Sequence, residues 1–253
     1  MLKLSGVIIT YNEERYIETC LKSLSAVVDE IVVVDSYSTD KTKEICLKYN
    51  VKFIEQEFLG YIEQKNFALQ QASHDLVVSL DGDESLSKEL QESIIKLKPN
   101  WKFDGYYANR FNNFCGQWIK HSDWYPNKKL RVFDRRKAQW EGINPHDSIA
   151  LFDKKAKTGK LKGDILHKTY QTYSEFNQKI EHFSSISAQA YYDLGKKATI
   201  WKTLWNPSWA FFKAYFLRLG FLDGYNGFVI CVQTANLTFL KYSKLRELYR
   251  NKS

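Results

Sequence analysis

The chain has 253 residues, of which 44% are hydrophobic, so it can bury a real core and fits one large domain with an appendage. Lysine and arginine number 37 against 29 aspartate and glutamate, which gives a formal charge of +8. That balance favours polyanionic partners: nucleic acid, anionic lipid or phosphorylated sugars. The four cysteines have no paired spacing, which predicts reduced thiols in a cytoplasmic protein and argues against zinc. The N-terminal residues lack the pattern of a signal peptide, so secretion is not expected.

The first eighty residues alternate between strand and helix patterns. Apolar runs predict strands at 4–10, 30–35, 51–55 and 75–80. Helical spacing predicts a helix over 17–24, a second helix that ends at 49, and a third over 64–72. Such β-α-β repeats with near-continuous Val/Ile strands predict an α/β fold with a Rossmann-like, mostly parallel central sheet flanked by helices. Ligands of these sheets bind beyond the carboxyl ends of the strands, so Tyr11, Asn12, Asp35 and 81–83 are expected to converge on one crevice.

An acidic cluster follows the fourth predicted strand, where Leu80 leads into Asp81, Gly82, Asp83 and Glu84. Carboxylates grouped at a strand end favour a hard divalent cation such as Mg²⁺ or Mn²⁺, which could also grip a diphosphate. Asp-x-Asp by itself is a weak signal, and a solvated turn is the alternative. No Gly-x-Gly-x-x-Gly follows the first strand and no Walker loop occurs, which argues against a dinucleotide oxidoreductase or P-loop nucleotidase.

Four blocks in this order resemble the signature of family 2 glycosyltransferases with the GT-A fold: 10–14, 29–40, 64–66 and 80–84. Later blocks narrow the resemblance to a bacterial branch similar to lipopolysaccharide-core β-1,4-glucosyltransferases: 124–126, 131–133, 145–147, 167–170 and 220–224. The resemblance covers nearly the whole chain.

The resemblance implies a nucleotide-sugar site across the ends of the first strands, with these binding residues: Thr10, Tyr11, Asn12, Glu13, Asp35, Lys65, Asp81, Gly82 and Asp83. Tyr11 would stack near the base, and Asp35 would accept from uracil or ribose. Lys65 would face the diphosphate. The alternatives are a turn or helix-capping role for Asp35 and an ordinary surface position for Lys65.

The same resemblance implies Mg²⁺ or Mn²⁺ bound by Asp83 directly, with Asp81 on the ribose or on a metal-bound water. Both aspartates are therefore predicted metal ligands. Glu84 has two open interpretations: it supports the metal site from behind, or it caps the helix that begins near Ser87.

An inverting transfer needs a base that takes the proton of the acceptor hydroxyl. The branch usually has His-Glu where this chain has His146 and Asp147. Asp147 is the predicted base and His146 its rival. The predicted acceptor-binding residues are Trp124, Tyr125 and Arg131. Trp124, Tyr125 and Trp140 are candidate platforms for sugar faces, with ordinary core packing as the alternative.

The segment 205–242 is aromatic and basic, but charges interrupt it too often for a membrane span. It suits a bilayer interface, and a buried helical cap or dimer contact is the alternative. The predicted domains are a glycosyltransferase domain over 1–200, divided into a nucleotide-sugar half (1–98) and an acceptor half (99–200), and a helical extension over 201–253.

Together these observations predict a metal-dependent, inverting hexosyltransferase of the bacterial cell envelope. Its donor would be a UDP-sugar, most simply UDP-glucose, and its acceptor a lipopolysaccharide-core or other lipid-linked saccharide at the inner face of the cytoplasmic membrane. Three alternatives are a member with another donor or acceptor, a member that binds without transferring, and a sugar-nucleotide pyrophosphorylase. The absent glycine-rich loop argues against the last. The ordered acidic blocks argue against a binding protein for nucleic acid, which is not an expected partner.

Overall fold

The computed structural model describes residues 2–143 and 146–251, without the side chains of Ile143 and His146. The chain forms two compact units, one of residues 1–110 with 127–168 and the other of residues 111–126 with 169–253. The predicted functional division into 1–200 and 201–253 stays a prediction.

The first unit is built on a mixed β-sheet. In chain order the strands are β1 Leu4–Thr10, β2 Glu30–Asp35, β3 Lys52–Glu55, β4 Leu76–Asp81, β5 Glu84–Leu86, β6 Gly105–Phe114, β7 Gln117–Trp118, β8 Asn127–Asp134, β9 Ala138–Ile143, β10 His146–Leu151 and β11 Thr158–Tyr170. The order across the main sheet is β3-β2-β1-β4-β8-β6-β11-β5, and β9 and β10 form a separate antiparallel pair. Strands β6 and β11 run on into the second unit, where β7 pairs with β6.

Among the described residues, four α-helices lie in the first unit and three in the second. They are α1 Ile17–Ser25, α2 Thr42–Leu47, α3 Tyr61–Gln70, α4 Lys88–Leu97, α5 Tyr173–Asp193, α6 Ile200–Phe212 and α7 Gly224–Asn251. A π-helical segment, Lys213–Leu217, and a 3₁₀ turn, Gly220–Asp223, connect α6 to α7.

The predicted α/β class is confirmed, and β1 to β4 are parallel as expected. The rest of the sheet is more antiparallel than predicted, because β8 runs against β4 and β6. Helix α2 ends before residue 49: the amides of Lys48 and Tyr49 bond three residues back, to Ile45 and Cys46, so the last turn tightens. Helix α3 begins three residues earlier than predicted, directly after Gly60.

Strands β1, β2 and β4 are buried on both faces, which explains their unbroken apolar runs. Alternate residues face opposite sides: Val7 and Val32 lie in a cluster with the α3 residues Ala68 and Leu69. Ile8, Val33 and Val78 of β4 lie in a second cluster on the opposite side of the sheet, with apolar residues of α1 and α4. The polar ends of these strands are therefore held on a rigid base.

The second unit is helical around a small core. The buried core residues are Phe114, Ile119, Phe176, Ile180 and Ile230. Helix α7 packs against α5 and α6. Gly227 permits a close approach to the 3₁₀ turn, because a Cβ at this position would collide with the carbonyl oxygen of Gly220. Within the described ranges, no helix combines the length and apolarity that a membrane crossing requires.

Candidate active site

The last residues of three parallel strands lie side by side. In the strand register Thr10 is opposite Asp35, and Ile9 is opposite Asp81. The Thr10 hydroxyl donates to Asp35 Oδ1 at 2.8 Å. The carboxyl ends of β1, β2 and β4 thus bring together polar residues that are far apart in the sequence.

The loop after β1 is fastened to the loop after β2. Asn12 has a left-handed backbone (φ 55°), and its Oδ1 accepts from the amide of Thr39 at 2.8 Å. The amide of Asn12 donates to Ser38 Oγ at 2.8 Å. Tyr11 remains 60% exposed beside this connection. A fixed loop with an exposed aromatic ring is suited to stacking against a base.

Asp35 is buried and already accepts three hydrogen bonds. Its Oδ1 accepts from the hydroxyls of Thr10 and Ser38, and its Oδ2 accepts from the Ser38 amide at 2.7 Å. It therefore stabilises the turn after β2. A carboxylate offers roughly four acceptor positions, so one position is left for a ligand.

Lys65 is buried between two carboxylates. Its Nζ lies 2.9 Å from Asp81 Oδ1, 2.7 Å from Asp147 Oδ2 and 4.3 Å from the centroid of the Trp140 ring. The neighbouring Asn66 exchanges two 2.9 Å hydrogen bonds with the backbone of Trp140, which fastens α3 to β9. Only 5% of Lys65 is exposed, so it is not the surface lysine that the sequence left open.

A second buried cation, Arg131, lies on β8. Its guanidinium donates to Asp81 Oδ2 at 3.2 Å and to Glu84 Oε1 at 3.3 Å, and it stacks over the Trp140 ring at 4.8 Å. Arg110 adds a 3.5 Å ion pair with Glu84. The predicted acceptor residue Arg131 is therefore directed at two carboxylates of its own chain.

The two interpretations of Glu84 are distinguished by its contacts. Glu84 is 1% exposed and also accepts from the amide of Asp81 at 3.1 Å. The N-cap of α4 is Ser87, whose hydroxyl accepts from the amide of Leu90. Glu84 thus braces the acidic cluster from behind and does not cap the helix.

The charge state of Asp81 is set by two neighbouring buried cations. Burial alone would raise the pKa of Asp81, but Lys65 and Arg131 outweigh it and hold that pKa below its ordinary value. Asp81 is therefore an anion whose charge two buried cations already match. Asp83, which the resemblance implied as the direct metal ligand, stays a prediction.

Asp83 lies beside a histidine. Its Oδ2 is 3.1 Å from His167 Nε2, and both side chains are partly exposed. The carboxylate oxygen suits either Mn²⁺ or Mg²⁺, and the imidazole nitrogen suits Mn²⁺ better than Mg²⁺, which prefers oxygen ligands. No group of three or more candidate ligands occurs in the described part of the chain. The chain fits a cation that takes its remaining ligands from water and a diphosphate. Sequence reasoning noted His167 only as part of a family block.

Gly82 separates these aspartates and contacts the loop after β1. A Cβ at this position would lie 2.9 Å from Glu13 Cγ and 3.2 Å from Thr10 Cγ2. The amide of Glu13 donates to Thr42 Oγ1 at 2.8 Å, so the loop is held from its other side. Gly82 therefore has a packing role that the motif alone did not indicate.

The half-buried Lys129 should lose its proton at a lower pH than an ordinary lysine. Burial, then Arg110 and Arg131, lower its pKa from 10.5 to about 8. Between these values the unfolded chain holds a proton that the folded chain has released, so stability should rise with pH across this window. We expect carbon-13 NMR of the lysine side chains to show a midpoint near pH 8, assigned by its loss in Lys129→Met. Lys128→Met is the control, and an ordinary midpoint for Lys129 would contradict the prediction.

Trp124 and Tyr125 belong to the second compact unit. Trp124 packs edge-on against Phe114 and Phe176, at centroid distances of 5.8 and 6.1 Å. The Tyr125 ring lies 4.9 Å from that of Phe111. Both residues are half-buried in aromatic clusters, which is the core-packing alternative.

Two residues were predicted as the base. The side chain of His146 lies outside the described part of the structure, and its backbone pairs with Ile143 in the β9-β10 hairpin. Asp147 is described: it pairs with Gly142, and its side chain is 11% exposed. The sequence predicted Asp147 as a site residue without indicating that Lys65 holds it.

Comparison with known proteins is consistent with this geometry. The family model for Glycosyl transferase family 2 matches residues 5–157, a range that holds the whole charged cluster except His167. An uncharacterised glycosyltransferase of Rickettsia typhi is 33% identical over 98% of this chain and 88% of its own length. LpsC, a lipopolysaccharide core biosynthesis glycosyltransferase of Rhizobium meliloti, is 29% identical over 100% of this chain and 95% of its own length.

Among solved structures, S. aureus TarS in complex with UDP covers 100% of this chain and 92% of the TarS chain, with 18% identity and a TM-score of 0.46. That similarity is too low to indicate what this chain binds. The family match and the α/β architecture confirm the predicted resemblance and the GT-A fold class. With more than half of its residues matched and a relative 33% identical over nearly its full length, the chain belongs to glycosyl transferase family 2.

Proposed function

We propose that the protein is a metal-dependent, inverting hexosyltransferase that transfers glucose from UDP-glucose to a lipopolysaccharide-core or other lipid-linked saccharide at the inner face of the cytoplasmic membrane. The observation that carries the proposal is the meeting of Asp81, Lys65 and Asp147, from three separate elements, where ligands of such sheets bind. The choice of acceptor class rests on similarity to LpsC along its length.

The donor nucleotide would lie over the ends of β1 and β2. Tyr11 offers an exposed ring for the base, and the remaining acceptor position of Asp35 suits the imide N–H of uracil or a ribose hydroxyl. Asn12 and Glu13 would hold the loop against the donor, and Gly82 would keep the backbone close to it.

Lys65 would contact the diphosphate. An ammonium group has three donors, and two of them are directed at Asp81 and Asp147. The third can reach a phosphate oxygen without breaking either ion pair. A lysine held in this way costs little further entropy when the donor binds.

Asp83 and His167 are the residues that would hold Mg²⁺ or Mn²⁺, with Asp81 contributing through a water or the ribose. When bound, such a cation stabilises negative charge on a departing diphosphate. Asp81 itself is kept ionised and in place by Lys65 and Arg131.

Asp147 would act as the base. The acceptor oxygen attacks the anomeric carbon, its hydroxyl proton passes to Asp147, and the bond from that carbon to the diphosphate oxygen breaks, releasing UDP. Lys65 contacts Oδ2 of Asp147, and we assign Oδ1 to the acceptor hydroxyl. His146 remains the rival base.

Acceptor binding is assigned to the half-buried Trp124 and Tyr125. The contacts of Arg131 favour a different role from the one predicted: it positions Asp81 and Glu84.

A second candidate function is nucleotide-sugar binding without transfer. The ion pair between Lys65 and Asp147 favours it, because it engages the carboxylate that would have to take the proton. The two candidates share a donor site and differ only in whether a product forms.

The test is a transfer assay with purified protein, Mn²⁺ and a truncated core oligosaccharide as acceptor, comparing UDP-glucose with UDP-galactose and UDP-N-acetylglucosamine. We expect a product heavier by one hexose with UDP-glucose, and a β-linkage by NMR because inversion converts the α-configured donor. If the protein binds UDP but forms no product with any of the donors, whether the acceptor is soluble or lipid-linked, the result would favour the binding function. A product with retained configuration would contradict the proposed mechanism.

A further inference from the structure

One face of α6 is apolar and exposed. It consists of Trp201, Leu204, Trp205, Trp209 and Phe212, which we call the α6 face. Their spacing of three and four residues places them on one side of the helix. The side chains of Trp201 and Trp205 are 77% and 68% exposed, although aromatic rings of this size normally find cover in a folded protein.

The exposed apolar surface continues beyond the helix. In the π-helical segment, the 3₁₀ turn and the start of α7 the exposed apolar residues include Phe216, Leu217, Phe221, Leu222, Tyr225 and Phe228. The opposite side of α6 is covered, since Thr203 is buried and the Phe211 ring lies 6.1 Å from that of Phe228 on α7. Helix α6 is therefore anchored on one side and open on the other.

Within residues 195–222 the charges all have one sign. Residues 195–222 include five lysines and arginines and no aspartate or glutamate: Lys196, Lys197, Lys202, Lys213 and Arg218. Lys213 and Arg218 pair with Asp123. Near the start of α6, Lys197 and Arg246 line a cavity of about 470 Å³.

We propose that the α6 face inserts into the interface of an anionic lipid bilayer. Trp, Phe and Leu would enter the boundary between headgroups and acyl chains, while the neighbouring lysines would meet the negative headgroups. Helix α6 has 13 residues, fewer than the roughly 20 that a spanning helix needs, so it would lie along the surface.

The charge distribution favours lipid over a second copy of the chain. A self-complementary contact on this face would bring two sets of lysines together without opposing carboxylates from residues 195–222. No residue of the α6 face belongs to the candidate active site. The inference therefore stands independently of the proposed donor, metal and base.

The experiment measures binding of the full chain to vesicles of phosphatidylcholine, with and without phosphatidylglycerol. We expect binding to the anionic vesicles with a blue shift of tryptophan fluorescence. The double variant Trp201→Ser/Trp205→Ser should bind about tenfold or more weakly because it loses two inserting rings. The triple variant of Lys196, Lys197 and Lys202 to Gln should lose on the order of a hundredfold. Phe152→Ser removes an aromatic ring of 58% exposure from the first unit and is the matched control, expected to bind normally.

UDP binding by each variant separates this inference from the proposed function, since the α6 variants should keep it. Equal vesicle binding by the wild type and the double tryptophan variant would overturn the inference, as would no binding to anionic vesicles. A dimer in light scattering that the tryptophan changes dissolve, without lipid binding, would assign the face to a second copy instead.

Discussion

Replacing Asp147 by asparagine is expected to lower kcat for glucosyl transfer by about 10²- to 10⁴-fold, the usual contribution of a general base. Asparagine can still accept a hydrogen bond from Lys65 through its amide oxygen, so the contact that holds α3 near β10 is kept. UDP binding should change little, because the base acts on the acceptor. Initial rates in the transfer assay and calorimetric titration with UDP measure the two effects separately.

The matched control is Asp153→Asn, which changes an exposed aspartate of the same unit and should leave kcat unchanged. Asp147→Glu is a further test, because glutamate is the residue that the related branch usually carries, and it should retain more activity than asparagine. An unchanged rate in Asp147→Asn would refute the assignment and make His146 the next base to test.

Replacing Glu84 by glutamine is expected to reduce the free energy of unfolding by about 3–5 kcal/mol, as breaking a buried ion pair does. Glu84 and Arg131 are both almost fully buried, and Arg110 also faces this carboxylate. Glutamine would leave the Arg131 and Arg110 guanidinium groups without the carboxylate that both contact, while Arg131 keeps its ion pair with Asp81. Urea denaturation followed by circular dichroism measures the change.

Glu44→Gln removes the carboxylate of an exposed pair with Lys48 and should have a much smaller effect. The double replacement Glu84→Leu/Arg131→Met should restore part of the stability. It removes both charges of the buried ion pair, so neither residue is left as a buried charge without its partner. Equal effects of Glu84→Gln and Glu44→Gln would contradict the buried-network interpretation.

Local sequence patterns were sufficient for the four parallel strands, β1 to β4, and for the edge where they end. Strands β1, β2 and β4 are apolar on both faces, so their runs are unambiguous, and parallel pairing then places Thr10, Asp35 and Asp81 together. The start of α4 near Ser87 was also predicted, although the cap is Ser87 itself and not Glu84.

The charged network could not be predicted in the same way. Lys65 and Asp147 are brought together only when the β9-β10 hairpin packs on α3, and no local pattern encodes that contact. For the same reason Arg131 resembled an acceptor residue in the sequence, although its described contacts are with carboxylates. The antiparallel pairing of β8 with β4 is likewise a long-range contact, and the pattern of apolar residues in each strand does not determine it.

The C-terminal region shows a similar limit. Its sequence indicated an aromatic and basic surface, and the structure specifies which side chains are exposed. Lys213 and Arg218 pair with Asp123, so reversing their charges would break internal ion pairs as well as weaken lipid contact. The exposed Trp201 and Trp205 are the sharper positions for a test.

The most direct measurement is a calorimetric titration of the protein with UDP, with and without Mn²⁺, for the wild type, Asp83→Ala and the exposed control Asp153→Ala. We expect UDP to bind in a Mn²⁺-dependent manner to the wild type and the control, and Asp83→Ala to lose the metal-dependent part. Absence of UDP binding by the wild type under both conditions would contradict a UDP-sugar site. Undiminished Mn²⁺ dependence in Asp83→Ala would contradict the assignment of Asp83 as the metal ligand.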